Sequence, residues 1–397
     1  MVSESAQKAE RGPAWPAVAS LAIGAFSTVT TEFLPIGLLT NIAHSLQVTE
    51  GTAGLMVTMP GLVAAVAGPG FLIASGRLDR RFVLVAISAL LVVSNLLAAL
   101  APNFATMLLA RVLLGLCVGG FWTFAPGATG QLVPAGLQAK AVSYVLAGIS
   151  VATVAGVPAG ALLGDLAGWR MTFAAAAVLS VVVLVFQLRL LPPMPAARAT
   201  RLRDLLLPLS HAGARLGLLV SFLLVAGHFA AYTYLRPMLE QLFGLSAGAV
   251  TTLLLVYGAA GFAGTFAGGR LAARSVRGTA LLAAGLIGAV LLLSVLVGGG
   301  PAVAALVAFA WGAAFGLVPV AMTGWMLEAL PESPEAGQAL LVSFFQIAIA
   351  LGALVGGVVV DGFGVGSALL LGGALSVIAA LVIGASLGPR VRVVAEV

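Results

Sequence analysis

Charge is what this chain has least of. Of its 397 residues only 8% are Asp, Glu, Lys or Arg, while 61% are apolar; a soluble domain carries ~25% charged residues. That balance excludes a soluble globular protein and points to an integral membrane protein. Cysteine is almost missing too. Cys117 alone excludes an internal disulfide framework and a cysteine-based metal site. Three dispersed histidines add no metal-ligand cluster. Glycine is abundant, yet no G-x-x-x-x-G-K-[ST] string occurs, so ATP-driven pumping by this chain alone is not expected. Nor is there a paired-acid or His-rich constellation of the kind an intramembrane enzyme needs, and neither an enzyme nor a cofactor is expected. The first fourteen residues are polar or small and the first apolar run is too long for a signal-peptide core, so no cleavable leader is expected.

What the chain does have is long apolar runs. A membrane-crossing helix needs ~20 mainly apolar residues. Twelve such stretches can be read, near 15–41, 52–75, 82–101, 104–128, 138–163, 169–191, 215–239, 247–270, 278–299, 302–328, 336–361 and 366–388; very short links leave eleven or thirteen as alternatives. The longest polar interruption, Pro192 to Ala214, divides them six and six. The expected order is a tail 1–14, a six-helix bundle 15–191, a linker 192–214, a second six-helix bundle 215–388 and a tail 389–397. Weak repeats agree. Gly76-Arg77-Leu78-Asp79-Arg80 after the second span recurs as Gly269-Arg270-Leu271-Ala272-Ala273-Arg274 after the eighth. Gly160 to Asp165 closes the fifth span as Gly356 to Asp361 closes the eleventh. The fold class is therefore all-α, integral to the membrane, with twelve spans in two six-helix bundles. Such a two-bundle chain implies a transporter with its substrate site between the halves near the midplane.

The net charge of +6 does not indicate nucleic acid. All but three of the 19 Lys and Arg fall on one side if both termini are cytoplasmic, the exceptions being Arg111, Arg170 and Arg236. This is the positive-inside pattern, and the expected partner is the lipid bilayer. Small residues line one face of the fifth span (Gly148, Ala152, Gly156, Gly160, Gly164) and of the eighth (Ala260, Gly264, Gly268). Such faces admit close helix approach, and these two are expected to pack on each other across the bundle boundary. Pro158 should kink the fifth span.

A few polar side chains lie inside apolar runs. Glu32 is an acid in the middle of the first span, where an ionised side chain costs at least ~2.5–3.5 kcal/mol; it is the first candidate for a proton site, against a structural acid bonded to Thr or backbone. Arg111 shares a face of the fourth span with Gly115 and Gly119, so it either pairs with Glu32 or snorkels to the interface. His228 suits proton exchange or a hydrogen-bonded place in the core. Tyr232 and Tyr234 offer hydroxyls and flat faces to a sugar or base, or form an interfacial belt. Trp122, Trp311 and Trp325 would stack on a flat substrate or pack. Gln346 is a hydrogen-bond partner for a substrate. Asp79 with Arg77, Arg80 and Arg81 reads as a gate latch or as a topology signal, with Arg270 and Arg274 as its weaker counterpart.

Several strings together resemble the major facilitator superfamily, and within it the bacterial drug:proton antiporter branch. Thr31-Glu32-Phe33-Leu34-Pro35-Ile36-Gly37-Leu38-Leu39 resembles the branch's first-helix motif. Gly76 to Arg81 resembles the loop between helices two and three, one residue short between Gly and Asp and without the later glycine. Arg111-Val112-Leu113-Leu114-Gly115 resembles the fourth-helix motif, with Leu114 where a glutamine is common. Gly156-Val157-Pro158-Ala159-Gly160 resembles the fifth-helix antiporter motif, with one residue between Gly and Pro. Gly119-Gly120-Phe121-Trp122, Tyr232 to Pro237, and Glu335-Ala336-Gly337 followed by Gln346 resemble the purine-ribonucleoside exporters of that branch, while His228 looks more like its sugar exporters. Chloramphenicol exporters share much of the pattern. The resemblance implies a proton-coupled exporter of a small polar or amphipathic compound in a bacterial cytoplasmic membrane, working by alternating access and expected as a monomer. A facilitator or importer of the same fold, or a non-transporting membrane receptor, is the alternative.

Overall fold

The computed structural model describes residues 13–74, 78–195, 207–297 and 299–386. Among these residues, twelve helices are long and apolar enough to cross a membrane. They are α1 Trp15–Ser45, α2 Glu50–Phe71, α3 Arg80–Ala99, α4 Phe104–Gln131, α5 Gln138–Ala167, α6 Trp169–Leu190, α7 Ala212–Tyr232, α8 Ala247–Ala272, α9 Val276–Val297, α10 Pro301–Ala329, α11 Ala336–Phe363 and α12 Val365–Ser386. Lipid offers backbone groups no hydrogen-bond partner, so each crossing closes its own ladder as helix. The ends are marked by local chemistry. Asn103 accepts from the Thr106 amide at 2.9 Å and starts α4. Gly168 (φ 87°) and Gly364 (φ 84°) make the sharp turns into α6 and α12, where a left-handed backbone favours glycine. These two turns occupy matching places in the two halves.

The halves repeat their packing. α1 lies against α5, α2 against α4 and α3 against α6; α7 against α11, α8 against α10 and α9 against α12. The halves meet along two seams, α2 with α11 and α5 with α8, and the short helix Leu235–Gln241 crosses from the second half onto α1. This is the expected pair of six-helix bundles.

The small-residue faces pack differently from expectation. A Cβ added at Gly148 would meet the Ala22 carbonyl, at Gly156 the Thr30 hydroxyl, at Gly160 Leu34 and at Gly164 Leu38, so the α5 face lies along α1 in its own half. Gly264 faces Ala313 and Gly268 faces Leu317, both on α10. A row of small residues says that some backbone comes close, not which one. The α5–α8 seam is made instead where Gly258 abuts Thr153 and Val154. There α5 widens into a π-helical segment, Ala152–Gly156, directly ahead of Pro158. The missing proline amide and the extra residue in the turn re-aim α5 between its two neighbours.

Candidate functional site

Glu32 sits near the middle of α1 with 5% of its surface exposed, and its carboxylate does not face lipid. Gln346 on α11 donates from Nε2 to Glu32 Oε1 at 3.2 Å. Two residues singled out separately in sequence thus meet across the two halves. A carboxylate here accepts from the amide. A protonated carboxyl would instead offer its own hydrogen to the amide oxygen, so one side-chain pair can accommodate both forms.

Arg111 comes to the same region but does not spend its donors on the Glu32 carboxylate. Its Nε donates to the Met56 carbonyl at 2.8 Å, Nη1 to the Thr31 carbonyl at 2.9 Å and Nη2 to the Glu32 carbonyl at 2.7 Å. Two of these carbonyls are special. Thr31 lies four residues before Pro35, and Met56 four residues before Pro60. Proline has no N–H, so each carbonyl loses its helical donor. The rigid guanidinium fork supplies donors to both helices at once. The snorkelling alternative does not hold, since Arg111 is 1% exposed.

His228 is fully enclosed by rings. The Trp311 indole N–H donates to Nδ1 at 3.1 Å, and Nε2 lies 3.3 Å from the Tyr257 hydroxyl. Indole nitrogen can only donate, so Nδ1 is an acceptor and the ring hydrogen sits on Nε2 facing Tyr257. Phe315 and Tyr232 both stack on the imidazole. Phe229 bridges this box to the first half by stacking on Phe33, the neighbour of Glu32. His228→Ala would strip partners from Trp311 and Tyr257 and open a cavity, a loss of about 3–5 kcal/mol. His228→Phe restores volume without the bonds and should lose about 1–3 kcal/mol. Thermal unfolding in detergent should rank wild type, His228→Phe and His228→Ala in that order. A neutral His228→Phe would remove the two hydrogen bonds from this account.

The other candidates lie elsewhere. Trp122 packs edge-on against Phe121. Trp325 donates to the Gly213 carbonyl at 3.2 Å, under the Arg277 guanidinium at the start of α7. Tyr234 donates to the Ala353 carbonyl at 2.8 Å; burial, then the nearby Asp361 and Glu50 carboxylates, push its phenol well above the usual range. Asp79 accepts from the amides of Arg81 and Met194, Arg81 donates to the Leu188 carbonyl, and Arg80 lies over the Phe124 ring. The Asp79 and Arg81 contacts tie α3 to the end of α6, and Arg80 ties it to α4, all within one half. Arg77 lies outside the described residues. Of the antiporter-motif positions, Gly156 and Gly160 face α1, and Pro158 follows the π segment.

Sequence reasoning missed Tyr257 and Phe315, for which no local signal exists. It also read Asp165 and Asp361 only as repeat markers, although an acid at the same place in both halves could have suggested a shared task.

Comparison with known proteins supports the architecture. The model of the Major Facilitator Superfamily matches residues 21–340. The purine ribonucleoside efflux pumps NepI of Salmonella paratyphi B and Salmonella typhi are each 37% identical over 374 residues, 94% of this chain and 94% of each relative. A bacterial homolog to the human lysosomal transporter Spinster, in an inward-facing and occupied conformation, superposes with a TM-score of 0.74 at 14% identity, over 93% of this chain and 96% of that one. The human organic anion transporter MFSD10 gives a TM-score of 0.68 at 16% identity, over 94% and 100%. At those identities the two structures share the fold alone. With twelve spans in two repeated bundles, a family match over most of its length and relatives aligned nearly end to end, the chain belongs to the Major Facilitator Superfamily and is a membrane transporter.

Proposed function

We propose that this transporter exports purine ribonucleosides in exchange for protons, across a bacterial cytoplasmic membrane with both termini inside. The observation that carries the reading is the Glu32–Gln346 contact: an ionisable group deep in α1 touches α11 of the opposite half. A group so placed feels any relative movement of the halves, and its protonation changes which contact it makes. The substrate class is supported by the likeness to the Salmonella purine ribonucleoside efflux pumps, 37% identical over 94% of the chain. The charge distribution supports the orientation. The chain is proposed to act as a monomer, since both halves of the site come from one polypeptide.

Purified protein in vesicles should move labelled inosine or guanosine against its gradient when a pH difference is imposed. Collapse of the pH gradient should stop net accumulation. Flux that ignores the pH gradient would remove proton coupling, and an absence of nucleoside flux with intact transport of another solute would remove the substrate class.

A further inference from the structure

Each repeat ends a helix with an acid that reaches into the other half. Asp165, at the end of α5, accepts from Arg236 Nη2 at 2.7 Å and from the Thr251 hydroxyl at 3.3 Å, both in the second half. Asn41 of its own half also donates to it, at 3.2 Å. Asp361, at the end of α11, accepts from the Thr49 hydroxyl at 2.6 Å and the Gly51 amide at 2.8 Å, at the start of α2 in the first half. Arg236 adds a bond to the Gly37 carbonyl at 2.6 Å and is held by Glu240 at 2.8 Å. Gln241 donates to Glu50 at 2.9 Å. All of these contacts lie at one end of the molecule, where α1 finishes and α2 begins. At the opposite end, the hydrogen bonds described above for Asp79 and Arg81, and those of Arg215 and Arg277, each stay within one half.

The backbone is shaped for this closure. A Cβ at Gly54 would overlap the Tyr234 hydroxyl, and one at Gly51 would overlap the Gly357 carbonyl. Gly51 lets the two halves touch main chain to main chain, and Gly54 leaves room for the Tyr234 ring. The two acids use different chemistry. Asp165 makes a charge-assisted pair with a guanidinium that is 2% exposed. Asp361 accepts from the first-turn groups of α2, where a helix favours negative charge. A buried pair of this kind adds little net stability but fixes geometry, because removing one partner strands the other.

We propose that Asp165 and Asp361 are the positioning residues that hold the two halves shut at this end, a repeat-related clasp broken once in each transport cycle. This rests on the chain being a transporter with a site between its halves, and not on proton coupling or on the nucleoside substrate.

The test is distance measurement by electron spin resonance on the full chain in lipid, in a Cys117→Ala background. One label pair, at His44 and Phe363, spans the clasped end; the other, at Lys140 and Glu332, spans the opposite end. Asp165→Asn and Asp361→Ala should each raise the ratio of long to short distances at the first pair about tenfold or more, as expected for loss of a charged hydrogen bond. The second pair should shorten in step. Gly54→Ala keeps both acids and wedges the clasp apart, so it should give the same paired shift even if an acid variant fails to fold. Parent-like distances in all three variants would overturn the proposal. Lengthening at the clasped end without shortening at the other would also overturn it, since that is local loosening and not a change of state.

Discussion

Glu32→Gln is expected to leave nucleoside exchange intact and to abolish accumulation driven by a pH gradient. On the proposed coupling, each pH unit across the membrane is worth about 1.4 kcal/mol per proton carried. That is about a tenfold ratio of substrate across the membrane for one coupled proton. Wild-type protein should approach such a ratio in vesicles, while Glu32→Gln should reach none. The substitution is close to isosteric, and a glutamine at 32 can still hydrogen-bond the Gln346 amide, so the contact between α1 and α11 survives. Only titration is lost. Counterflow of labelled nucleoside, which needs reorientation of the loaded carrier and no proton, is the control. Accumulation that persists in Glu32→Gln would move the proton site elsewhere. A variant dead in counterflow as well would make Glu32 a substrate or structural residue.

The architecture was legible because the bilayer allows so few solutions. Long apolar runs had to be helices, and the polar gap after Leu191 had to separate two sets of six. Even the turn glycines Gly168 and Gly364 follow from the repeat, once the offset between Asp165 and Asp361 is seen. The site was legible as a parts list and not as an assembly. Glu32 and Gln346 were visible as polar side chains at depth, but nothing local says that α1 and α11 bring them together. The small-residue face on α5 announced a close neighbour and left its identity open; the neighbour is α1, and not α8 as expected. The loop acid Asp79 has the charge a latch needs, but its contacts here stay in its own half, while acids that do reach across include Asp165 and Asp361, at the other end of the molecule. Trp325 and Trp122 carried the right chemistry for stacking on a base but sit away from His228. Side-chain type fixes what a residue can do, and helix packing decides which residues do it together.

Arg111 gives the second large effect, and it turns on two prolines. Within the bilayer no water replaces a lost backbone donor, so the Thr31 and Met56 carbonyls freed by Pro35 and Pro60 need another source. Arg111 provides it for both, and adds a bond to the Glu32 carbonyl. Arg111→Ala strands two carbonyls at about 1–3 kcal/mol each, for an expected loss of about 2–6 kcal/mol. Arg111→Lys should recover little, since an ammonium is a point donor and cannot fork between α1 and α2. Restoring the amides with Pro35→Ala and Pro60→Ala should offset part of the Arg111→Ala loss, because each carbonyl regains its own helical partner. A double-mutant cycle on unfolding midpoints in detergent measures that coupling. Additive effects, with no rescue by the alanines, would show that Arg111 acts through its charge and not through these carbonyls. The rescued protein should nevertheless stay inactive in pH-driven flux. Pro35 lies within α1 one turn after Glu32, and an interior proline bends a helix, so Pro35→Ala should shift Glu32 relative to Gln346 and stability would return without coupling.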